Sequence, residues 1–168
     1  MKGRNRRRRS VWVRLAFVVA LSIASHALGG GSAKAAEVGH APGQETVLAG
    51  FTSQNYPAFF KLADDGRRVS VAGIALSMTC TSGDQFVLQD AFAGLRIGAN
   101  GSLHGSYTQP PTSGQDGATV SATDSLSARL NRRGTQLSGV WQLTAHYAFS
   151  DGSADDCASG PVRFTLTG

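Results

Sequence analysis

The feature that most constrains the fold of this chain is the alternation of apolar and polar side chains over many short segments. In residues 137–149, apolar residues such as Trp141 and Tyr147 occupy odd positions, while polar residues such as Gln142 and His146 occupy even ones. A period of two sustained over more than ten residues is typical of a β-strand with one buried face. The same alternation recurs in residues 68–80, 95–107, 125–130 and 161–168.

Glycine-bearing turn sequences separate these strand-like segments. A glycine after Asp, Asn or another polar residue supplies the positive φ that tight hairpins need. Asn100-Gly101-Ser102 is formally a glycosylation sequon, but Asn-Gly is also the preferred hairpin dipeptide, and we interpret it as a turn. The other turns of this kind are predicted at residues 64–66, 132–134 and 151–152.

Three further local features refine this pattern. Gly73 lies where the apolar parity changes within 68–80, which indicates a β-bulge at that glycine. Residues 109–118 contain two prolines and no periodicity, so they are predicted to form a surface loop. Residues 150–156 are acidic but lack the ligand spacing of a calcium loop, and are predicted to form a solvated loop.

These signals together predict an all-β fold with almost no helix. Short strands joined mainly by hairpins favour an antiparallel β-sandwich or a partly closed β-barrel of about eight to nine short strands. We assign this single domain to residues 46–168, and a flexible N-terminal arm to residues 36–45.

The N-terminus has the order of a cleaved secretory signal peptide, which we assign to residues 1–35. A basic segment, residues 2–9, precedes an apolar stretch at residues 15–28, and Ala33 and Ala35 form an A-x-A cleavage site. The apolar stretch is shorter than the roughly 20 residues that span a bilayer. We therefore expect no stable membrane span after cleavage, and export to a secreted, cell-surface or periplasmic location by the Sec or the twin-arginine route.

The charge distribution argues against a nucleic-acid partner. Half of the 16 basic residues lie in the first 35 residues, which contain no acid. The remainder carries eight bases against all 11 acids, a net charge of −3. A mildly acidic domain lacks the cationic surface that binding to a phosphate backbone requires, so no nucleic-acid binding is predicted.

The chain has only two cysteines, Cys80 and Cys157, and each begins a Cys-x-Ser-Gly sequence beside a strand-like segment. In an oxidising compartment two thiols in one domain usually pair, whereas a metal site would need more ligands at closer spacing. We predict a disulfide between them, and no metal or cofactor.

No catalytic motif is evident, and two sets of residues remain as candidate sites. His104, Gln142 and His146 fall on the polar parity of their strands and form a candidate polar surface site. Trp141 and Tyr147 are candidates to line a ligand pocket, although core packing is the default role of aromatic residues on an apolar face. The absence of a nucleophile elbow, a zinc-binding helix and a phosphate-cradling loop predicts that the protein is not an enzyme.

The chain contains T-S-Q at residues 52–54, D-G-R-x-V at residues 65–69, a first cysteine near a glycine, and a terminal C-x-S-G-x-V-x-F-T beginning at Cys157. In this pattern it resembles a group of uncharacterised exported bacterial proteins, seen particularly among actinobacteria. The resemblance covers residues 49–168. It implies a secreted all-β domain with paired cysteines, and it carries no catalytic residues to transfer.

These observations predict a secreted, non-enzymatic binding or surface-interaction module, whose partner is an extracellular ligand or a cell-surface molecule. The alternative is a small-ligand-binding β-barrel of lipocalin or avidin-like architecture, with aromatic residues lining its cavity. A hydrolase is the third class. A cavity lined by Trp141 and Tyr147 would favour the barrel, and histidines clustered with an acid would favour the hydrolase.

Overall fold

The structure is a computed structural model that describes residues 45–114 and 117–168, and this part of the chain is all-β. The predicted signal peptide and most of the predicted arm lie outside the described residues. Among the described residues, no helix is long and apolar enough to cross a membrane. The nine strands of the described part are β1 (Thr46–Phe51), β2 (Pro57–Leu62), β3 (Arg68–Cys80), β4 (Gln85–Arg96), β5 (Ser102–Ser113), β6 (Thr119–Leu130), β7 (Gln136–Ala148), β8 (Ala154–Ala158) and β9 (Val162–Thr167).

Six of these strands close into an antiparallel barrel, which decides between the two predicted architectures. The hydrogen-bonded circuit runs β3–β2–β1–β9–β7–β8 and returns to β3. Outside the circuit, β4 pairs with the other edge of β3, while β6 and then β5 extend from the other edge of β7. The free edges of β4 and β5 approach each other at one end, where Ile97 bridges to Leu103. Closure leaves few unpaired strand edges.

Strand β8 completes the circuit, and the prediction of a loop at residues 150–156 is wrong over its second half. The chain turns at residues 149–153 and then enters β8, which pairs with β3 through Cys80↔Cys157 and with β7 through His146↔Asp156. The alternation of β8 is short and carries two aspartates, so its sequence has little β propensity. It forms a strand because the edges of β3 and β7 flank it.

The predicted bulge is present in β3 but lies at Ser70 rather than at Gly73. Val69 and Val71 pair with consecutive residues of β2, so Ser70 is the extra residue. Gly73 has another role. The ring of Phe59 lies over it, and a Cβ at this position would come within 2.5 Å of that ring.

The predicted loop at residues 109–118 is also shorter than expected, because β5 continues to Ser113. The register between β5 and β6 shifts between Gln109 and Thr112, which leaves Pro110 and Pro111 at the irregularity. Proline has no N–H to donate and is tolerated there because β5 lies at the edge of the sheet. The predicted Asn100-Gly101 turn is confirmed, with Gly101 at φ 80°.

The interior of the barrel is packed with large side chains from both halves of the chain. The rings of Phe60 and Phe164 lie 5.3 Å apart, and those of Phe92 and Trp141 5.1 Å apart. Ring separations of this size are those of direct aromatic packing. The largest fully buried side chains are Trp141, Phe60, Leu48, Leu76, Met78, Leu103, Leu137, Leu166, Val69 and Val162.

Candidate functional site

Trp141 and Tyr147, the two residues predicted as possible pocket lining, are packed into the core. Trp141 is completely buried, and its ring meets that of Phe60 edge-on at 6.2 Å. Tyr147 is partly buried and packs against the same core cluster. Neither residue lines either of the two surface hollows on β5, β6 and β7 that are described below. These aromatic residues therefore fill the barrel.

Two carboxyl groups meet at Trp141 on the buried face of the sheet, and sequence reasoning did not find them. The indole Nε1–H of Trp141 donates to Asp124 Oδ1 at 2.6 Å and lies 3.3 Å from Asp90 Oδ2. Asp124 is only 5% exposed, whereas Asp90 is half-buried. In both strands the aspartate occupies a position where the alternation predicts an apolar residue. Its same-face neighbours are Phe86, Leu88 and Phe92 in β4, and Leu126 and Ala128 in β6. That signal was present in the sequence.

The environment of Asp124 favours its neutral form. Burial, the hydrogen bond with Asp90 and the charge of Asp90 together raise the pKa of Asp124 from 3.8 to about 8, against the lowering effect of the Trp141 hydrogen bond. A buried carboxyl group beside a second carboxyl group resists ionisation. Asp124 is consequently protonated at neutral pH, and its contacts with Asp90 and Trp141 link β4, β6 and β7 on the buried face of the sheet.

The outer face of β5, β6 and β7 carries a shallow trough of about 500 Å³. His104 on β5 is paired with Ser127 on β6, and Gln142 on β7 is paired with Ser125. The trough thus includes two of the three residues of the predicted polar site. We call this surface the outer trough, and define it by His104, Ser106, Ser125, Ser127, Val140 and Gln142.

His146, the third residue of the predicted polar site, lies on the same face but apart from the outer trough. It pairs with Ser121, six residues from Ser127 along β6, which places it about 20 Å from His104 at the usual rise per strand residue. All three residues lie on the outer face of the sheet, but only His104 and Gln142 line the outer trough.

His146 instead belongs to a row of polar residues across three adjacent strands. Ser121 on β6, His146 on β7 and Asp156 on β8 are successive cross-strand partners, so their side chains share one face. The Nδ1 atom of His146 lies 2.7 Å from Asp156 Oδ1. The row has the order of a nucleophile, a base and an orienting acid. Both charged members are highly exposed, however, with 51% of the His146 side chain and 70% of that of Asp156 accessible.

Cys80 and Cys157 form the predicted disulfide, on directly opposed positions of β3 and β8. Asp155 lies beside it and accepts hydrogen bonds from Thr81 Oγ1 at 2.6 Å and from the Ser82 N–H at 3.0 Å. Cys80, Cys157 and Asp155 are close enough to resemble a ligand cluster. Because the two sulfur atoms are bonded to each other, they are not free thiolates, and the cluster is structural.

No protein-family model, curated protein sequence or solved structure matches this chain. The resemblance to exported bacterial proteins therefore stays a prediction.

Proposed function

We propose that this protein is an exported, non-enzymatic binding module that contacts an extracellular ligand or cell-surface partner through the outer trough. The observation that carries the proposal is the shallow hollow outside a filled barrel that brings together the polar side chains of His104, Ser127 and Gln142. An imidazole, an amide and several hydroxyl groups offer both donors and acceptors in a small area. Such a lining suits a ligand rich in hydroxyl groups, and we infer that the ligand is an oligosaccharide.

The packing of Trp141 supports an external site over the alternative of a lipocalin-like or avidin-like cavity. A small-molecule cavity of that kind must be large enough to enclose most of its ligand. Trp141, Phe60 and Phe92 occupy the corresponding volume in this barrel. The described part of the chain therefore offers a ligand more contact outside the barrel than within it.

Export is supported by the Cys80–Cys157 disulfide, since such bonds persist in oxidising compartments. We expect the mature chain to begin near Ala36. Intact-mass analysis of protein recovered outside the cytoplasm should give a mass that lacks residues 1–35. Recovered protein that retains Arg6 to Arg9 would contradict both signal cleavage and the assigned boundary.

Substitution of Ser127 by tryptophan tests the outer trough. The indole should fill the trough at its centre and reduce binding to responding members of an oligosaccharide array by about tenfold or more, equivalent to about 1.4 kcal/mol. Tryptophan is well tolerated on an exposed strand position, so the fold should persist. Binding is measured with fluorescently labelled exported protein.

Thr123→Trp is the matched control, since Thr123 lies on the same strand and the same face but outside the trough. It should leave binding within about twofold of the wild type. Equal losses in both variants, or undiminished binding by Ser127→Trp, would show that the trough is not the binding surface.

A serine hydrolase is the second candidate, favoured by the row Ser121–His146–Asp156. Its weakness is the exposure of His146 and Asp156, because charge stabilisation and nucleophile activation are most effective where water is excluded. A fluorophosphonate that labels Ser121 in the wild type but not in His146→Ala would favour this candidate. If the fluorophosphonate does not modify the wild-type protein, the result would favour a binding function for this face over a hydrolase activity.

A further inference from the structure

Among the described residues, most of the arginine side chains are concentrated at one end of the barrel. At one end, basic residues occupy the β2–β3 turn, the paired ends of β3 and β4, the end of β6 and the β6–β7 turn. We call this group the basic end, and define it by Arg67, Arg68, Arg96, Arg129, Arg132 and Arg133. The same end also carries Asp64 and Asp65 in the β2–β3 turn and Glu45 just before β1. The opposite end, around the β3–β4 and β7–β8 turns, carries Asp84, Asp151, Asp155 and Asp156 and no basic residue among those described.

The topology brings the basic side chains of separate strands together. Arg68 and Arg96 are direct cross-strand partners, an arrangement of like charges that is unfavourable without a counter-ion. Ile97 bridges to Leu103 of β5, whose neighbour Ser102 pairs with Arg129 of β6. Arg96 and Arg129 are consequently two strand spacings and two residues of register apart, or roughly 12 Å.

Most of these guanidinium groups have no acidic partner within the described residues. Among the described residues, lysine and arginine side chains form two ion pairs, Lys61 with Glu45 and Arg68 with Asp65. The Arg68–Asp65 pair is exposed, and its charged atoms are 3.9 Å apart. Arg96, Arg129, Arg132 and Arg133 are in neither. These side chains are therefore available to an external anion.

The basic end is continuous with the outer trough. A second hollow of about 310 Å³ adjoins the trough, and His104 and Ser127 line both. Asn100, Ser102, Arg129 and Ser138 complete the second hollow. A chain-like ligand lying in the trough would thus reach Arg129 and then the β6–β7 turn, which carries Arg132 and Arg133.

We propose that the basic end binds sulfate or phosphate groups carried by a polysaccharide or polyol chain, whose uncharged hydroxyl groups lie in the outer trough. This inference rests on the proposed function. Arginine binds such tetrahedral oxyanions with paired N–H donors, which makes it suited to this recognition. The exposed aromatic side chains Phe51, Phe59, Tyr107 and Phe149 line neither the trough nor the basic end, so the surface lacks the stacking platform of a single-stranded nucleic-acid site.

The test compares two double variants with the same change in net charge. Arg132→Gln/Arg133→Gln removes two charges from the basic end, while Gln85→Glu/Gln89→Glu adds two negative charges on exposed positions of β4. The probes are a heparin-derived hexasaccharide, a glycerol phosphate hexamer, neutral dextran and a DNA duplex, each titrated into the exported protein at several salt concentrations. The first two probes distinguish a sulfate-bearing from a phosphate-bearing ligand.

We expect the wild type to bind at least one of the two anionic probes, and more weakly as salt increases. The Arg132/Arg133 variant should lose about tenfold or more in affinity and show a smaller salt dependence, whereas the Gln85/Gln89 variant should stay within about twofold. Equal losses in both variants would indicate a general charge effect and overturn the proposal. So would binding to neither anionic probe, or tighter binding to the DNA duplex, which would point to nucleic acid instead.

The Ser127→Trp variant separates this inference from the proposed function. If Ser127→Trp keeps its binding to the hexasaccharide while the Arg132/Arg133 variant loses it, the basic end is supported as a binding site and the trough is refuted. If Ser127→Trp loses its binding to dextran while the Arg132/Arg133 variant binds every probe as the wild type does, the trough is supported and the basic end is refuted.

Discussion

Substitution of Asp124 by asparagine should abolish most of the decline in stability that we expect for the wild type between about pH 4 and pH 8. The Asp124 side chain is buried, lies beside Asp90 and accepts a hydrogen bond from Trp141. An asparagine has nearly the same shape, can accept from the Trp141 indole and donate to Asp90, and does not ionise. The variant should therefore keep the fold and lose the titration.

The sign of the effect follows from the raised pKa of Asp124, from 3.8 to about 8. Below the lower value both the folded and the unfolded chain carry the proton, so stability does not depend on this group. Between the two values the folded protein holds a proton that the unfolded chain releases, and stability falls by up to about 1.4 kcal/mol per pH unit. Above the upper value the loss is complete.

Urea denaturation of the wild type and Asp124→Asn at pH 4, 6, 8 and 9 measures this effect. Asp84→Asn is the control, because Asp84 lies in an exposed turn and should leave the pH dependence unchanged. The Asp124 variant should be the more stable protein at pH 9 and close to the wild type at pH 4. A wild type whose stability rises from pH 5 to pH 8, or an Asp124 variant with the same slope, would contradict a protonated Asp124 in the folded protein.

Reduction of the Cys80–Cys157 disulfide should produce a comparably large loss of stability. The bond closes a loop with a sequence separation of 77 residues. Chain-entropy arithmetic for a loop of this length gives a stabilisation of about 4.5 kcal/mol as an upper figure. A domain of ordinary stability has about 5–15 kcal/mol in total, so the melting temperature should fall markedly.

The loss should begin at β8 and the adjoining C-terminal strand. Strand β8 has only five residues and pairs with β3 through two residue pairs, one of which is the disulfide itself. Its other contacts with this region are the hydrogen bonds that the half-buried Asp155 accepts from Thr81 and Ser82. In the Cys157→Ser variant, hydrogen exchange should therefore accelerate first in residues 154–167. The stability of this variant should equal that of the reduced wild type and should not change when reductant is added. Thiol titration that finds two free cysteines in unreduced exported protein would contradict the bond.

The fold was predictable from the sequence to the extent that it depends on local pattern. The alternation in β7 and the Asn100-Gly101 turn required no knowledge of partners, because strand period and hairpin chemistry are local properties. Closure into a barrel was not predictable, since it depends on β8. That strand has two aspartates and few apolar residues, and its conformation follows from the edges of β3 and β7 on either side.

The candidate site shows the same division. The alternation along each strand placed His104, Gln142 and His146 on the outer face. It could not show that β6 lies between β5 and β7, and it could not give the register that separates His146 from the other two residues. The pair Asp90–Asp124 had a local signal, because each aspartate interrupts an apolar parity. Their meeting at Trp141 depends on contacts between residues 51 and 17 positions apart in sequence, and no single segment contains that information.

The most direct test of the account is to locate a bound ligand by NMR, since the central claim is that this filled barrel binds on its outside. The heparin-derived hexasaccharide is titrated into ¹⁵N-labelled exported protein, and the amide and indole resonances are followed. We expect the amide resonances of His104, Ser127 and Arg129 to shift, while the indole N–H of Trp141 and the amides of Phe60 and Phe92 stay in place. Shifts concentrated at Trp141, Phe60 and Phe92 with an unchanged outer trough would place the ligand inside the barrel and contradict the account.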